Sequence, residues 1–391
     1  MPVTLTRRAV ILLAIASAIV TANAYYIHPI IGHVAEEFGV SNALVGAVPA
    51  LNQIALALGI LLLLPLGDRL SNRKLTTVFL AAQVVALLIM AVAQSFWLFV
   101  AGSTLLGFFT ITPYLLPAFV SKRVSVERLG TVTAILTTGV IAGVLISRTG
   151  AGIVGEYLGW RHIYWIAAAL MAAATLVVPL LLDDDIVAAG EVRKATYGQL
   201  ISSLVDLLKG HPAVIVSGAI QGLSFAVFLT VWLGIGLHLT SPEMGFGVDD
   251  VGYLAAFSAL NLMTTPSLGR LADRIGPMLT RTIAVCIQFL GVITLFFSDS
   301  GYWILLLPIS LMSVAGPVVD ITGRMTLLTQ DSVIRTRLMT LYVVIMFLGG
   351  GLGSWGGTIA FELGGWLGTC ILAMFFSALA VGLSLSRLNA D

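Results

Sequence analysis

The chain has 391 residues, 58% of them hydrophobic and only 10% charged, with a formal net charge of +1. Soluble globular domains carry roughly 25% charged residues, and a chain with a mean hydropathy of +1.03 has too few polar side chains to clothe a water-facing surface. Lipid is therefore the main solvent, the near-zero net charge gives no bulk attraction for nucleic acid, and two cysteines, Cys286 and Cys370, each inside an apolar run, supply neither a disulfide framework nor a metal-ligand cluster.

Arg7-Arg8 precedes an apolar stretch that ends in Ala22-Asn23-Ala24, an arrangement that imitates a signal peptide and its cleavage site. The stretch is about 20 residues long, enough to cross a hydrocarbon core of roughly 30 Å. Cleavage would also leave an odd number of helices, so this stretch is read as a first span. Apolar runs of spanning length cover 8–30, 43–66, 75–94, 97–120, 130–154, 162–182, 213–238, 250–268, 281–298, 302–325, 338–361 and 366–386. A polar connector, 183–212, interrupts them. It opens with Asp183-Asp184-Asp185 and continues through Glu191, Arg193, Lys194, Asp206 and Lys209. Tyr197, Leu200, Ile201, Leu204, Val205 and Leu208 have helical spacing and predict an amphipathic helix at the membrane surface or on the cytoplasmic face. The expected fold is an all-α membrane protein of twelve transmembrane helices, a six-helix bundle over 1–182 and another over 213–391.

Lys and Arg set the orientation. With the N-terminus in the cytoplasm, all but two of the 20 basic residues fall on the cytoplasmic side, the exceptions being Arg148 and Arg161. The outer loops then carry Glu36, Glu37, Glu156, Glu243, Asp249, Asp250, Asp299 and Glu362. Both termini are expected in the cytoplasm, and the protein in a bacterial cytoplasmic (inner) membrane.

The two halves repeat each other. Gly67-Asp68-Arg69-Leu70-Ser71-Asn72-Arg73-Lys74 follows the second run, and Gly269-Arg270-Leu271-Ala272-Asp273-Arg274-Ile275-Gly276-Pro277 follows the eighth; their Asp-Arg pairs are 205 residues apart. Gly150, Glu156, Gly159 and Trp160 recur as Gly356, Glu362, Gly365 and Trp366, a shift of 206. Two parallel repeats with a midplane cavity between them are a transporter architecture.

At these residues the sequence resembles the major facilitator superfamily over essentially its whole length. The text around Asn23-Ala24-Tyr25-Tyr26, Pro65–Arg69, Ser147-Arg148-Thr149 and Gly349-Gly350-Gly351 is similar to the bacterial drug and sugar efflux branch, the arabinose-efflux-permease-like proteins. The loop motif is not complete: Leu64 stands at its first Gly, Ser71 and Asn72 replace Gly-Arg, and Pro277 and Met278 replace the basic pair of the second copy. The fourth helix of proton-coupled members carries a buried Arg before a Gly, and here the register around Gly107 offers Ser103. The resemblance implies a conformational gate at Gly67, Asp68, Arg69, Arg73, Lys74, Asp273 and Arg274, closing the cytoplasmic side; a plain positive-inside loop, which does not require the Asp, is the other reading. It also implies a cavity lined by helices one, four, seven and ten.

Candidate substrate or coupling residues are Asn23, Tyr26, Asn52, Gln53, Tyr114, Arg148, Gln221, Asn261, Asp320 and Arg324. Arg148 lies at bilayer depth, where a cation costs at least a few kcal/mol and must find a cavity or a partner. An anion site or coupling charge is one reading; an Arg that snorkels outward or pairs with Glu156 is the other. Asp320 has Arg324 four residues on, on the same helix face, which reads either as an ion pair or as a carboxylate that takes up and releases protons. Any Asn or Gln here can equally be glue between helices. Tyr25, His28, Trp232 and His238 fall near the outer interface, where an aromatic belt is the default.

The expected function is secondary active transport by alternating access: export of a small organic molecule or drug, with protons as the coupling ion and a monomer as the working unit. Uptake or facilitated diffusion on the same fold is the first alternative. A membrane sensor or membrane-embedded enzyme is the second, but the sequence holds no Ser-His-Asp order, paired intramembrane carboxylates or soluble output domain. No Walker motif appears, and no cofactor or metal is expected.

Overall fold

The structure, a computed structural model, describes residues 5–68, 70–121, 123–182, 197–258, 271–298, 301–328 and 332–388. Every regular element among them is helical. Among the described residues, ten stretches are long and apolar enough to cross a membrane. The first six spans are Arg7–Phe38, Asn42–Gly67, Asn72–Val92, Phe96–Pro117, Arg128–Leu158 and Trp160–Leu181. The seventh is Pro212–Leu239, the ninth Pro277–Leu295 and the tenth Tyr302–Leu327. The stretch Ile334–Leu388 holds spans eleven and twelve, which part at Gly364 and Gly365, where the backbone leaves the helical conformation. Helix Val248–Ser258 stands at the start of the eighth apolar run of the sequence; 259–270 lie outside the described residues. Helix Tyr197–Gly210 lies where the connector's apolar spacing predicts it.

Local chemistry explains the boundaries. Thr6 caps the first span by accepting from the Ala9 N–H, and Ser71 caps the third by accepting from Lys74. The apolar run predicts that the first span ends near residue 30, but the helix continues to Phe38. Its last turn carries the exposed Glu36 and Glu37, so loss of hydrophobicity does not mark the helix end. Gly39, at φ 60°, ends it. The same span breaks over Asn23–Tyr26, where the backbone closes with tighter bonds from Ala24 to Thr21 and from Tyr25 to Ala22. The fourth span breaks at Thr110–Ile111.

The repeat is visible in the backbone. Gly39 and Gly245 have φ of 60° and 66°, and Gly159 and Gly365 have φ of 88° and 55°. Each pair is separated by the 206-residue shift. These left-handed turns disfavour any residue with a Cβ. They make the same corner in each half.

Spans one and five, two and four, and three and six pack together in the first half; seven and eleven, and nine and ten, pack in the second. Gly139 and Gly143 seat the fifth span on the Ala14 and Ala18 carbonyls of the first, and Gly349 and Gly353 seat the eleventh on Gly222 and Ala226 of the seventh. The halves meet along spans two and eleven, five and eight, and one and seven. Loops alternate between two faces of the bundle. The face with Glu37, Glu156, Glu243 and Glu362 is the acidic face; the face with Arg7, Arg73, Lys74 and Arg274 is the basic face.

Candidate transport site

The halves are joined at the acidic face by a contact made twice. Glu156, ending the fifth span, accepts from the Val248 N–H at the start of the eighth, 2.9 Å. Glu362, ending the eleventh, accepts from the Ala43 N–H at the start of the second, 2.6 Å. The acceptors are 206 residues apart and the donors 205. Each carboxylate reaches the positive N-terminus of a helix in the opposite half, the favoured place for a negative charge. Tyr157 adds a bond to Asp249 across the same seam, 3.2 Å. Beneath it, Gly152 lies against Gly252, and Gly236 against the His28 carbonyl, with no room for a methyl group at either place.

Below this closure sits Arg148, 1% exposed. Its Nε donates to His28 Nδ1, 3.2 Å. The guanidinium carbon lies 5.3 Å from the Tyr25 ring centre, 4.5 Å from Phe228 and 4.4 Å from Trp232. The cation is thus held by aromatic faces, two of them from the other half of the protein. It neither snorkels outward nor pairs with Glu156, whose carboxylate is engaged with Val248. Tyr25, His28 and Trp232 are buried around Arg148 instead of standing in an interfacial belt; the break at Asn23–Tyr26 turns the first two inward. His238 is likewise buried, its ring stacked at 4.7 Å on Trp366.

Rings continue from Arg148 in a row. Phe228 stacks on Phe225 at 5.9 Å, Phe225 meets Phe347 at 5.7 Å, and Phe347 meets Tyr114 at 5.9 Å. The row runs from the cation toward the basic face, on whose side Asp320 and Arg324 form an ion pair within the tenth span. In that pair Arg324 Nε donates to both oxygens of Asp320, at 2.9 and 3.0 Å, and the Tyr342 hydroxyl donates to Asp320 Oδ1 at 3.2 Å. Both charged side chains keep about a third of their surface exposed.

The other sequence candidates are spread more widely. Asn23 donates to Gln83 of the third span at 3.3 Å, and Tyr26 packs on Tyr164 within the first half. Asn52 donates to the Ser103 carbonyl at 2.8 Å, while Ser103 Oγ donates to Val48. Ser103 is thus part of a tight seam between spans two and four, with Gly107 against the Asn52 backbone. A long cation has no space there, so the structure does not accommodate the Arg that the resemblance implies at this position. Gln53 is fully buried with neither amide atom bonded, and Gln221 reaches Met346 Sδ at 3.5 Å. Asn261, Arg69 and the Asp68 side chain lie outside the described residues. Gly67 packs against Leu115, Arg73 is half-buried, and Lys74, Asp273 and Arg274 are exposed on the basic face. Phe228, Phe347, Tyr342 and Gln83 escaped the sequence reading, because Phe is an ordinary lipid-facing residue and the other two have no local pattern to mark them.

The chain is 25% identical over 362 residues to the Uncharacterized transporter YgaY of Escherichia coli O157:H7, covering 93% of this chain and 91% of that one. It is 21% identical over 280 residues to the Multidrug resistance protein MdtG of Salmonella choleraesuis, covering 70% and 68%. Its fold superposes on the crystal structure of the nucleoside transporter NupG with a TM-score of 0.76 over 98% of both chains, at 16% identity. The family model of the Major Facilitator Superfamily matches residues 13–354. The chain belongs to the Major Facilitator Superfamily and is a secondary transporter, not an enzyme.

Proposed function

We propose that the protein exports a small organic molecule in exchange for protons, by alternating access between halves formed by residues 1–182 and 213–391. The acidic face is the outer one and both termini are cytoplasmic, with 183–212 as a cytoplasmic connector and the monomer as the working unit in a bacterial inner membrane. The observation that carries this reading is the seam. A double carboxylate latch closes its outer end above a buried cation held by rings of both halves, an aromatic row that crosses from Phe347 to Tyr114, and an ion pair in the second half. A closure built from two hydrogen bonds at helix ends can open without unfolding anything. The basic-face residues Gly67, Asp68, Arg69, Arg73, Lys74, Asp273 and Arg274 form the alternate gate.

Asp320 is the proton carrier in this scheme. Its carboxylate is held by Arg324 and Tyr342; when substrate or opening draws Arg324 away, the carboxylate accepts a proton. Export is supported by the distant likeness to a protein named for multidrug resistance and by the efflux-like text around Pro65–Lys74. The test uses everted membrane vesicles energised to an acid interior, screened against metabolites and antibiotics for compounds that dissipate the pH gradient. Asp320→Asn should abolish dissipation by any active compound while retaining its counterflow without a gradient. Unchanged coupling in Asp320→Asn removes Asp320 from the mechanism.

A further inference from the structure

The Arg148 cluster leaves two buried donors without an acceptor. His28 Nδ1 accepts from Arg148 Nε, so the imidazole proton is assigned to Nε2. Nε2 of His28 and Nη2 of Arg148 are both buried and bonded to nothing. Among the described residues no carboxylate lies within ion-pair distance of Arg148, and Asp320 is occupied by Arg324. Aromatic faces stabilise a desolvated guanidinium only in part, and a buried charge without a counter-charge is strongly unfavourable. A guanidinium has five N–H donors in a fixed fork that matches a carboxylate edge. The same cation is walled by Tyr25, Phe228 and Trp232, and the ring row through Phe225 and Phe347 to Tyr114 continues from it.

We propose that Arg148 and His28 anchor the acid group of a small organic monoanion whose flat, unsaturated body lies against Phe228 and Trp232. This rests on the reading of the seam as the transport path, and names the substrate class. One cation favours one negative charge. The surrounding rings favour a planar, unsaturated body, and an inorganic anion would gain nothing from them. The neutral analogue lacks what the cluster is missing: it brings acceptors but no charge.

The test is equilibrium binding to the purified, full-length protein, with no gradient applied. The probes are 2-naphthoate, its neutral twin 2-naphthamide, and cyclohexanecarboxylate. The expected result is saturable 2-naphthoate binding by calorimetry, at least tenfold tighter than either other probe, with quenching of tryptophan emission that Trp232→Phe removes. Arg148→Gln should weaken 2-naphthoate at least tenfold; Arg148→Lys, which keeps charge but not the fork, should fall between; Arg161→Gln, which removes a cation on the acidic face, should bind as the wild type does. Size-exclusion profiles check that the variants are folded. Should Arg148→Gln misfold, the acid-against-amide comparison on the wild type decides alone. Absence of saturable 2-naphthoate binding, equal binding of acid and amide, or wild-type affinity in folded Arg148→Gln overturns the proposal. Those outcomes leave the exchange reading standing if vesicles still dissipate a pH gradient with other compounds. Loss of gradient coupling with binding intact sinks the exchange reading alone.

Discussion

Removing both seam carboxylates should open the acidic face. A hydrogen bond from a backbone N–H to an ionised carboxylate contributes about 1.5–3 kcal/mol when well shielded, and the helix N-terminus adds a few tenths. Glu156 and Glu362 are exposed, so solvent screening reduces each contact to about 1 kcal/mol. Together they amount to about 2 kcal/mol, roughly a thirty-fold change in the ratio of closed to open. The contacts are on opposite sides of one seam and move with one motion, so Glu156→Ala and Glu362→Ala should each shift the ratio by about fivefold. The Gln variants, which keep an acceptor and lose the charge, should shift it less. Spin labels at Glu36 and Glu243, exposed residues on opposite halves of the acidic face, report the separation by pulsed electron resonance in a background without Cys286 and Cys370. The double Ala variant should gain a long-distance population that the wild type shows weakly. An unchanged distance distribution would refute the latch, and so would a full effect from one glutamate alone.

Two further outcomes follow from the packing and the loops. Gly152→Ala places a methyl against the Gly252 backbone, where spans five and eight cross; the same spin-label pair should report a more open acidic face. Unaltered distances would mean that the crossing yields locally without moving the halves. Asp68→Asn should impair transport by at least tenfold, a loss of about 1.4 kcal/mol in a gating contact, while surface expression and thermal stability stay at wild-type levels. Wild-type transport rates would remove Asp68 from the gate.

The spans were legible because lipid demands long apolar runs, and the repeat because Glu156 and Glu362 survive at one shift. Their partners were not legible. A glutamate at a loop edge looks like an ordinary outer acid until the fold brings Val248 or Ala43 beneath it, 92 and 319 residues away. Arg148 announced itself as an intramembrane cation, and the Asp320–Arg324 pair followed from helical spacing. The company of Arg148 was hidden because Tyr25 and His28 sit so close to the end of the apolar run. Sequence spacing measures depth along an unbroken helix, and the break at Asn23–Tyr26 ends that measure. Asn23 and Asn52 show the opposite case: polar residues that suggest ligand contacts in the sequence bond to Gln83 and Ser103 inside the first half.

The aromatic enclosure of Arg148 is divided between the halves, and this ties its hydration to the state of the protein. Tyr25 and His28 travel with the guanidinium, whereas Phe228 and Trp232 belong to the opposite half. Parting the halves at the acidic face would strip away two of the three rings and admit water to the charge. The closed face therefore carries a standing electrostatic penalty that the open face does not. An anion bound at Arg148 would relieve that penalty only while the face is closed, and so would bind the closed state more tightly. Such a difference in affinity is the condition for a ligand to shift a conformational equilibrium. The buried cation would then act as a sensor of occupancy as well as a grip, and the identity of the ligand would set how long the outer door stays shut.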